Sequence, residues 1–319
     1  SILKQNYPRS GYEILVADGG SRDKTVEIAR KSGCTVLDAK DLLAEPAKQM
    51  AFARASGEYI ALIDSDNEIV SKDWLSTALS SLEKNINALG FESFYRKDPD
   101  DSRLNRYLTG LLQISDPVSK SISGRLVPLD KEDSDGTMVF ELPADGSYPT
   151  GANGFIFRRE LLKELGDKPY HEASFFTLLI KRGFGKLVKN RHCEVYHHYV
   201  TTFPDFLRKR RRVMVNYMLR KEETDDTWDR SSPAFRKIWA VIYNGTFIGP
   251  LIEGVFLALR DKDPDWLIHP VAGFVSTIGN ALGMMDYKFG GSREERKKLS
   301  MKMSSELYES RIEKKGEDG

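Results

Sequence analysis

Two acidic loops hold the residues best suited to chemistry. Asp64-Ser65-Asp66 directly follows Glu58-Tyr-Ile-Ala-Leu-Ile63, the most strand-like run in the chain, which would hold two carboxylates rigidly at a strand's carboxyl end. Mg²⁺ and Mn²⁺ prefer oxygen ligands and commonly take one or two carboxylates plus phosphate oxygens and water. An ion bound there would stabilise charge developing on a phosphate leaving group. A capped turn is the competing reading. The spacing alone decides nothing, because Asp-x-Asp occurs five times; only the pair at Asp64 and Asp66 follows a strong β run. The second loop, Asp18-Gly-Gly-Ser21, ends the apolar run Tyr12 to Ala17 in the same way.

The elements that must position these loops can be read from the periodicity. Tyr12 to Ala17 predicts a strand, and a helix capped by Ser21 or Asp23 follows until Gly33. Thr35 to Leu37 predicts a second strand, Pro46 to Ala55 a helix, and Glu58 to Ile63 a third strand. Strands alternating with helices through short connections imply an α/β, mostly parallel, doubly wound sheet, whose ligands sit beyond the carboxyl ends of the strands. A helix over about 73–83 and a strand over 88–95 follow. Residues 98–147 read as an irregular insertion, with Leu104, Tyr107, Leu108, Leu111 and Leu112 at helical spacing, covering the core or facing an acceptor or membrane. Helices are expected over 159–165 and 172–182, and a strand-like run including Val195 and Tyr196 leads to His197-His198.

Beyond residue 200 the pattern changes. Arg208-Lys-Arg-Arg-Arg212, flanked by Phe203, Phe206, Val213 and Met214, has the character of a basic amphipathic interfacial helix, so 201–232 is expected at a membrane surface; a solvated basic face is the alternative. Ile238 to Leu259 carries one formal charge and Trp266 to Met285 none, each about the 20 residues a bilayer span needs. Arg236-Lys237 and Arg293 with Arg296-Lys-Lys298 flank this pair, which places both flanks in the cytosol. A membrane-associated hairpin over 233–290 is therefore expected, with a buried soluble hairpin or a re-entrant pair in one leaflet as alternatives. A charged tail helix follows over 291–319.

The 319 residues carry 48 basic and 47 acidic side chains, a net charge of +1, which removes the bulk electrostatic argument for nucleic acid. Cys34 and Cys193 are too few for a disulfide scaffold or a four-cysteine zinc site and suit a reducing compartment. No apolar leader opens the chain, so export is not expected. Nothing in the sequence fixes an oligomeric state.

In order, Glu13-Ile-Leu-Val-Ala-Asp-Gly-Gly-Ser-Arg-Asp-Lys-Thr25 and Gly57-Glu-Tyr-Ile-Ala-Leu-Ile-Asp-Ser-Asp66 resemble the nucleotide-sugar half of family-2 glycosyltransferases of the GT-A fold. Thr150-Gly-Ala-Asn-Gly154 resembles the family's acceptor-side segment, Gly151, Ala152, Asn153 and Gly154 included, and Glu172 through Gly183 its catalytic helix. The apolar pair with Asp265-Trp-Leu-Ile-His-Pro270 is similar to membrane-attached members acting on lipid-linked acceptors. The family opens on an apolar strand that is expected to be missing here, the chain entering at a helix over Ser1–Asn6.

The resemblance implies roles. Asp18 contacts the donor nucleoside and Asp23 is the loop's second acidic position. Lys48 and Gln49 face the nucleotide where the family often has Arg-Asn. Asp64 approaches the ribose or metal, Asp66 ligates Mn²⁺ or Mg²⁺, and His197 completes the metal or diphosphate site, with His198 as its rival. His171-Glu172 stands where many members have Glu-Asp, so Glu172 takes the general base's position with His171 beside it as a catalytic candidate. Arg208, Arg211 and Arg212 would face the diphosphate or the membrane. The implied protein is an inverting, metal-dependent transferase at the cytoplasmic side of the cell membrane, moving a sugar from GDP-mannose or a UDP-sugar to a polyprenyl phosphate or lipid-linked saccharide. A nucleotidyltransferase on a similar sheet and a non-catalytic, membrane-anchored nucleotide-sugar binder are the alternatives.

Overall fold

The computed structural model describes residues 1–129, 131–151 and 153–317. In chain order the elements begin with β1 (Leu15–Asp18), α1 (Thr25–Lys31), β2 (Thr35–Asp38), α2 (Ala44–Phe52), β3 (Tyr59–Leu62), β4 (Asn67–Ile69) and α3 (Trp74–Glu83). Next come β5 (Gly90–Glu92), β6 (Phe94–Tyr95), α4 (Arg103–Gly110), α5 (Pro117–Ile122), β7 (Val127–Pro128), β8 (Thr137–Glu141) and β9 (Phe155–Arg158). After these lie α6 (Glu172–Lys181), β10 (Lys186–Asn190), β11 (Glu194–His197), α7 (Phe203–Lys221), α8 (Ala234–Gly245), α9 (Ile248–Asp261), α10 (His269–Phe289) and α11 (Arg293–Glu317). They fall into two compact units, Ser1–Phe94 with Gly124–Tyr196, and Tyr95–Ser123 with His197 onward.

The first unit is α/β. Its main sheet has the order β3-β9-β5-β10-β8-β7, and β1 pairs with β2 in parallel as a separate two-stranded sheet. The sheet is mixed rather than mostly parallel. Only β5 and β10 pair in parallel, while β9 runs antiparallel between β3 and β5, with Ile60 opposite Phe157 and Phe91 opposite Ile156. This insertion requires Gly90, because a Cβ there would stand 2.6 Å from the Ile156 carbonyl oxygen. Expecting 98–147 to be irregular also fails. Its first part forms α4 and α5 of the second unit, and its last part forms the β7–β8 hairpin, where β8 pairs with β10 through Leu187 opposite Phe140. Pattern reading missed β10 because Lys186 and Lys189 interrupt its apolar run.

Aromatic packing joins sheet to helix in this unit. Phe155 and Phe157 of β9 meet Phe175 and Phe176 of α6, all buried, with ring centroids 4.6 Å apart for Phe155 and Phe176. Each such buried side chain contributes about 1.5–3 kcal/mol of hydrophobic stabilisation. A buried ion pair interrupts the apolar interior. Lys189 Nζ lies 2.9 Å from Glu92 Oε2, both buried, and the Thr150 hydroxyl donates to Glu92 Oε1 at 2.7 Å.

The second unit is helical. Leu104, Tyr107, Leu108 and Leu111 pack with Val200, Phe206 and Ala272, so α4 covers a core, whereas Leu112 is exposed. α7 and α10 approach backbone to backbone. A Cβ on Gly283 would stand 2.3 Å from the Arg211 carbonyl oxygen and one on Gly279 2.7 Å from Arg210 Cβ. Small residues at such a seam permit close helix packing. The expected first span, Ile238 to Leu259, is not one helix: α8 and α9 meet at a 79° bend. α8 ends at Gly245, and Pro250 stands in the first turn of α9, where its missing N–H costs no helical hydrogen bond. Pro264–Phe289 is the one unbroken segment, among the described residues, long and apolar enough to cross a membrane.

The Glu92–Lys189 pair gives a stability test. Breaking a buried pair by removing one partner typically costs about 3–5 kcal/mol, because the other charge is left uncompensated. Lys189→Met should therefore lower the unfolding free energy by about that amount in urea titrations. Adding Glu92→Gln to it should recover most of the loss.

Candidate active site

One helix face and one helix start build the centre of the first unit. On α2, Glu45, Lys48 and Gln49 occupy positions i, i+3 and i+4, which share a face. All three reach the start of α6. Glu45 Oε1 accepts from the Glu172 N–H at 3.1 Å and Glu45 Oε2 lies 3.4 Å from His171 Nδ1. Gln49 Oε1 accepts from the Tyr170 N–H at 3.0 Å. Lys48 Nζ donates to Glu172 Oε2 at 2.6 Å and lies 2.9 Å from Asp64 Oδ1. The structure thus brings together Lys48, Asp64 and Glu172, which stand at three distant places in the sequence. Through its bond to the Tyr170 N–H, Gln49 also anchors the backbone just before α6.

The electrostatics of this centre are unusual. Burial pushes the Glu172 carboxyl up to about 7, the Lys48 cation pulls against that rise, and the Asp64 charge adds to it. Burial also opposes the charge on Lys48, yet the carboxylates of Glu172 and Asp64 overcome it and hold the ammonium above its ordinary range. A carboxyl group that titrates near neutrality suits a general base, which works best with a pKa near the operating pH.

The remaining acidic candidates lie at the carboxyl ends of β1 and β3. Asp18 closes its own loop: its carboxylate accepts from the Gly20 N–H at 3.1 Å, the Ser21 N–H, and the Ser21 hydroxyl at 2.5 Å. Asp23 accepts from the Thr25 N–H at 2.9 Å at the start of α1. Asp64 and Asp66 stand in the turn after β3, where Asn67 Oδ1 accepts from the Asp64 N–H at 3.0 Å. Their donor set is carboxylate oxygen, which fits Mg²⁺ or Mn²⁺, and Asp64 keeps 40% of its side chain exposed, so an ion can reach it.

The glycine-rich segment before β9 is docked against the same strand end. The Gly154 N–H donates to the Leu62 carbonyl at 2.7 Å, and the Gly154 carbonyl accepts from the Ser93 hydroxyl at 2.8 Å. Gly151 has φ +110° and a Cβ there would stand 2.0 Å from the Phe176 ring, so only glycine fits. Asn153 and Gly154 also take left-handed backbone, at φ +45° and +82°. Ala152 lies outside the described residues.

The histidine and arginine candidates belong to the helical unit. His197 is buried with its ring 5.2 Å from Tyr95 and 5.1 Å from Tyr199, and its carbonyl accepts from Asn105 Nδ2 at 2.8 Å. His198 Nδ1 lies 3.0 Å from Asp101 Oδ1, and with Asp98 these two offer three ligand atoms within 4.8 Å of one another. The arginines have partners inside their own unit. Arg208 pairs with Asp205 at 3.1 Å, Arg211 Nη2 donates to Asp286 at 2.7 Å, and Arg212 Nη1 donates to Ser304 Oγ at 2.7 Å. Three cations of the expected basic surface are therefore matched by acids of the same unit, since Arg210 is also paired, buried, with Asp116 at 2.9 Å. Sequence reasoning missed Glu45 and Glu92. The i, i+3, i+4 face of α2 was the available signal for Glu45, and Glu92 had none, lying in an otherwise apolar strand.

The family model described as glycosyl transferase family 2 matches residues 1–166, more than half of the chain. The chain belongs to that family. Within it, the chain is 35% identical over 89 residues to Glycosyltransferase AglE of Haloferax volcanii, covering 26% of this chain and 29% of that protein. It is 31% identical over 115 residues to Glycosyltransferase GlyG of Streptococcus pneumoniae serotype 4, covering 34% and 37%. The matches thus span about a third of the length of these curated relatives. A solved structure, mannosyltransferase PcManGT from Pyrobaculum calidifontis in complex with GDP-Man and Mn²⁺, superposes with a TM-score of 0.51 at 16% identity, over 88% of this chain and 81% of that one. The family-2 chain therefore has the GT-A fold, and its Lys48–Glu172 contact lies between a residue inside the matched segment and one beyond it.

The Lys48 cation sets a titration test. Because the Glu172 pKa is raised above its ordinary 4.5, its contribution to stability is complete below about pH 4.5 and is lost as pH rises through about 7. Lys48→Met removes the opposing cation. The Glu172 carboxyl resonance followed by ¹³C NMR should then titrate above 7, and the loss of stability should move to higher pH with it.

Proposed function

We propose that this chain transfers a sugar, with inversion, from a nucleoside-diphosphate sugar to an acceptor presented at the cytoplasmic face of a membrane, a polyprenyl phosphate or lipid-linked saccharide. The observation that carries the reading is the Lys48 ammonium held between Glu172 and Asp64, which couples a neutral-range carboxyl to the carboxylate turn after β3. Glu172 would accept the proton of the acceptor hydroxyl as that oxygen attacks the anomeric carbon, and the nucleoside diphosphate departs with the bonding electrons. Asp64 and Asp66 would hold Mn²⁺ or Mg²⁺, which when bound offsets the charge of the leaving diphosphate. Lys48 keeps Glu172 and Asp64 oriented and limits how far burial raises Glu172. The Asp18 loop would receive the nucleoside, with Asp23 at its edge, and the segment from Gly151 to Gly154 would line the acceptor side.

The donor remains open between GDP- and UDP-sugars, so a thermal-shift panel should contain both, with and without Mn²⁺. At least one donor should raise the melting temperature in a metal-dependent way, and Asp66→Asn should remove the metal dependence. Glu172→Gln should cut transfer by about 10²–10⁴-fold while the donor-induced shift persists. Stabilisation by no donor, or near-normal turnover of Glu172→Gln, contradicts the proposal.

A further inference from the structure

The helical unit carries two amphipathic helices turned inside out. On α9, Ile248, Leu251, Ile252, Val255, Phe256 and Leu259 recur at i, i+3, i+4, i+7, i+8 and i+11 and are 40–76% exposed. The opposite side of that helix is small and packed: Gly254 is buried, and a Cβ there would stand 2.7 Å from the Trp266 carbonyl oxygen. α8 repeats the pattern. Phe235, Ile238, Trp239 and Ile242 are 53–73% exposed, while Ala240 and Asn244 are fully buried. A helix of a water-soluble protein turns its apolar stripe to the core; here both stripes turn away from it.

The charges confirm the orientation. Arg236 donates to the Ser121 and Ser123 carbonyls, and Lys237 donates to Asp229, so both cations of α8 point into the unit. Glu253 of α9 is tied to the Tyr243 hydroxyl at 2.5 Å and faces His269 Nε2 at 3.4 Å. The ten stripe positions hold no charge, the half-exposed Glu253 standing beside the α9 stripe, and the Trp239 indole is their one hydrogen-bonding side chain. A protein partner's interface would be expected to offer about one hydrogen bond per 100–200 Å² and a polar rim. Hydrocarbon asks for neither.

Geometry then selects how lipid is met. The 12 residues of α8 and 14 of α9 rise about 18 and 21 Å, each short of the roughly 30 Å hydrocarbon core. The 79° bend prevents them from adding up to one straight span. The remaining long apolar segment, Pro264–Phe289, cannot cross by itself either. Its Gly279 and Gly283 lie against the backbone of α7, whose run Arg208 to Arg212 would enter the hydrocarbon with it.

We propose that α8 and α9 are an in-plane anchor, buried in one leaflet of a lipid bilayer with both of their outer ends on the same side. This deepens the membrane part of the function proposed above and rests on it, but involves neither the nucleotide-sugar site nor the transfer step. It replaces the spanning hairpin with a monotopic attachment.

The test uses the full chain with phosphatidylcholine–phosphatidylglycerol vesicles. Cys34→Ser removes the half-buried thiol, and Cys193 is buried with its thiol pushed up to about 12 by that burial, so new cysteines can be read alone. Ser231→Cys and Lys262→Cys then mark the two outer ends. After reconstitution, a membrane-impermeant maleimide should label both to the same extent before and after vesicle lysis, or both only after it. Labelling of one position before lysis and of the other only after it would establish a span and overturn the proposal. Ile252→Glu with Phe256→Glu changes only exposed side chains, so circular dichroism and donor-induced thermal shift should stay unchanged while vesicle flotation falls at least about tenfold. Unchanged flotation of this variant, or a native chain that ignores vesicles and instead dimerises in a dilution-dependent manner, would also overturn it. A missing donor shift with normal flotation would count against the transferase reading alone.

Discussion

The ammonium group of Lys48 is the point on which the catalytic unit turns. Glu172 and Asp64 both lie within 2.9 Å of one nitrogen, so two carboxylates are brought into a partly buried space where their mutual repulsion would otherwise be large. At 4 Å and an effective dielectric near 20, a unit pair interacts by about 4 kcal/mol, several times an exposed ion pair. The cation offsets this repulsion, and it also ties α2, the turn after β3 and the start of α6 into one arrangement. Glu45 and Gln49 strengthen the same contact through the backbone of residues 170–172, so a single face of α2 both positions Glu172 and opposes the effect of burial on its charge.

Rigidity around this centre comes from tight packing rather than from further charges. The segment before β9 lies so close to α6 that Gly151 admits no side chain, and it is held at Leu62, two residues before Asp64. Beneath it, Glu92 and Lys189 form a buried pair, and Thr150 caps the remaining carboxylate oxygen. Such a pair contributes little net stability compared with apolar packing. Its effect is positional, because Thr150 immediately precedes the left-handed glycine turn that leads into β9.

The helical unit follows the opposite rule. Its polar groups are gathered inside, with Asp116 buried against Arg210 and Ser276, and Asp265 against Arg103 and Arg106, while its large apolar side chains face outward on α8 and α9. The basic run in α7 illustrates the point: as sequence it reads as a headgroup-binding face, yet Asp205, Asp116, Asp286 and Ser304 meet its guanidinium groups from elsewhere in the same unit.

Local signals were enough for the acidic loops, the helix starting at Glu172 and the family itself, because each is a short run whose apolar period, turn residues and spacing are properties of neighbours in the chain. They were not enough for β10, whose lysines hide its apolar positions, nor for the antiparallel insertion of β9, which depends on a pairing between residues nearly a hundred positions apart. By itself the sequence determined the α/β alternation, the carboxylate turns after β1 and β3, and the presence of apolar helices near its end. Only the tertiary structure decided that Lys48 belongs to Glu172 and Asp64, that the arginines of α7 already have partners, and that the first of the two apolar stretches breaks and turns outward. These outcomes depend on which distant groups compensate a buried charge or fill a space, and no local pattern carries that information.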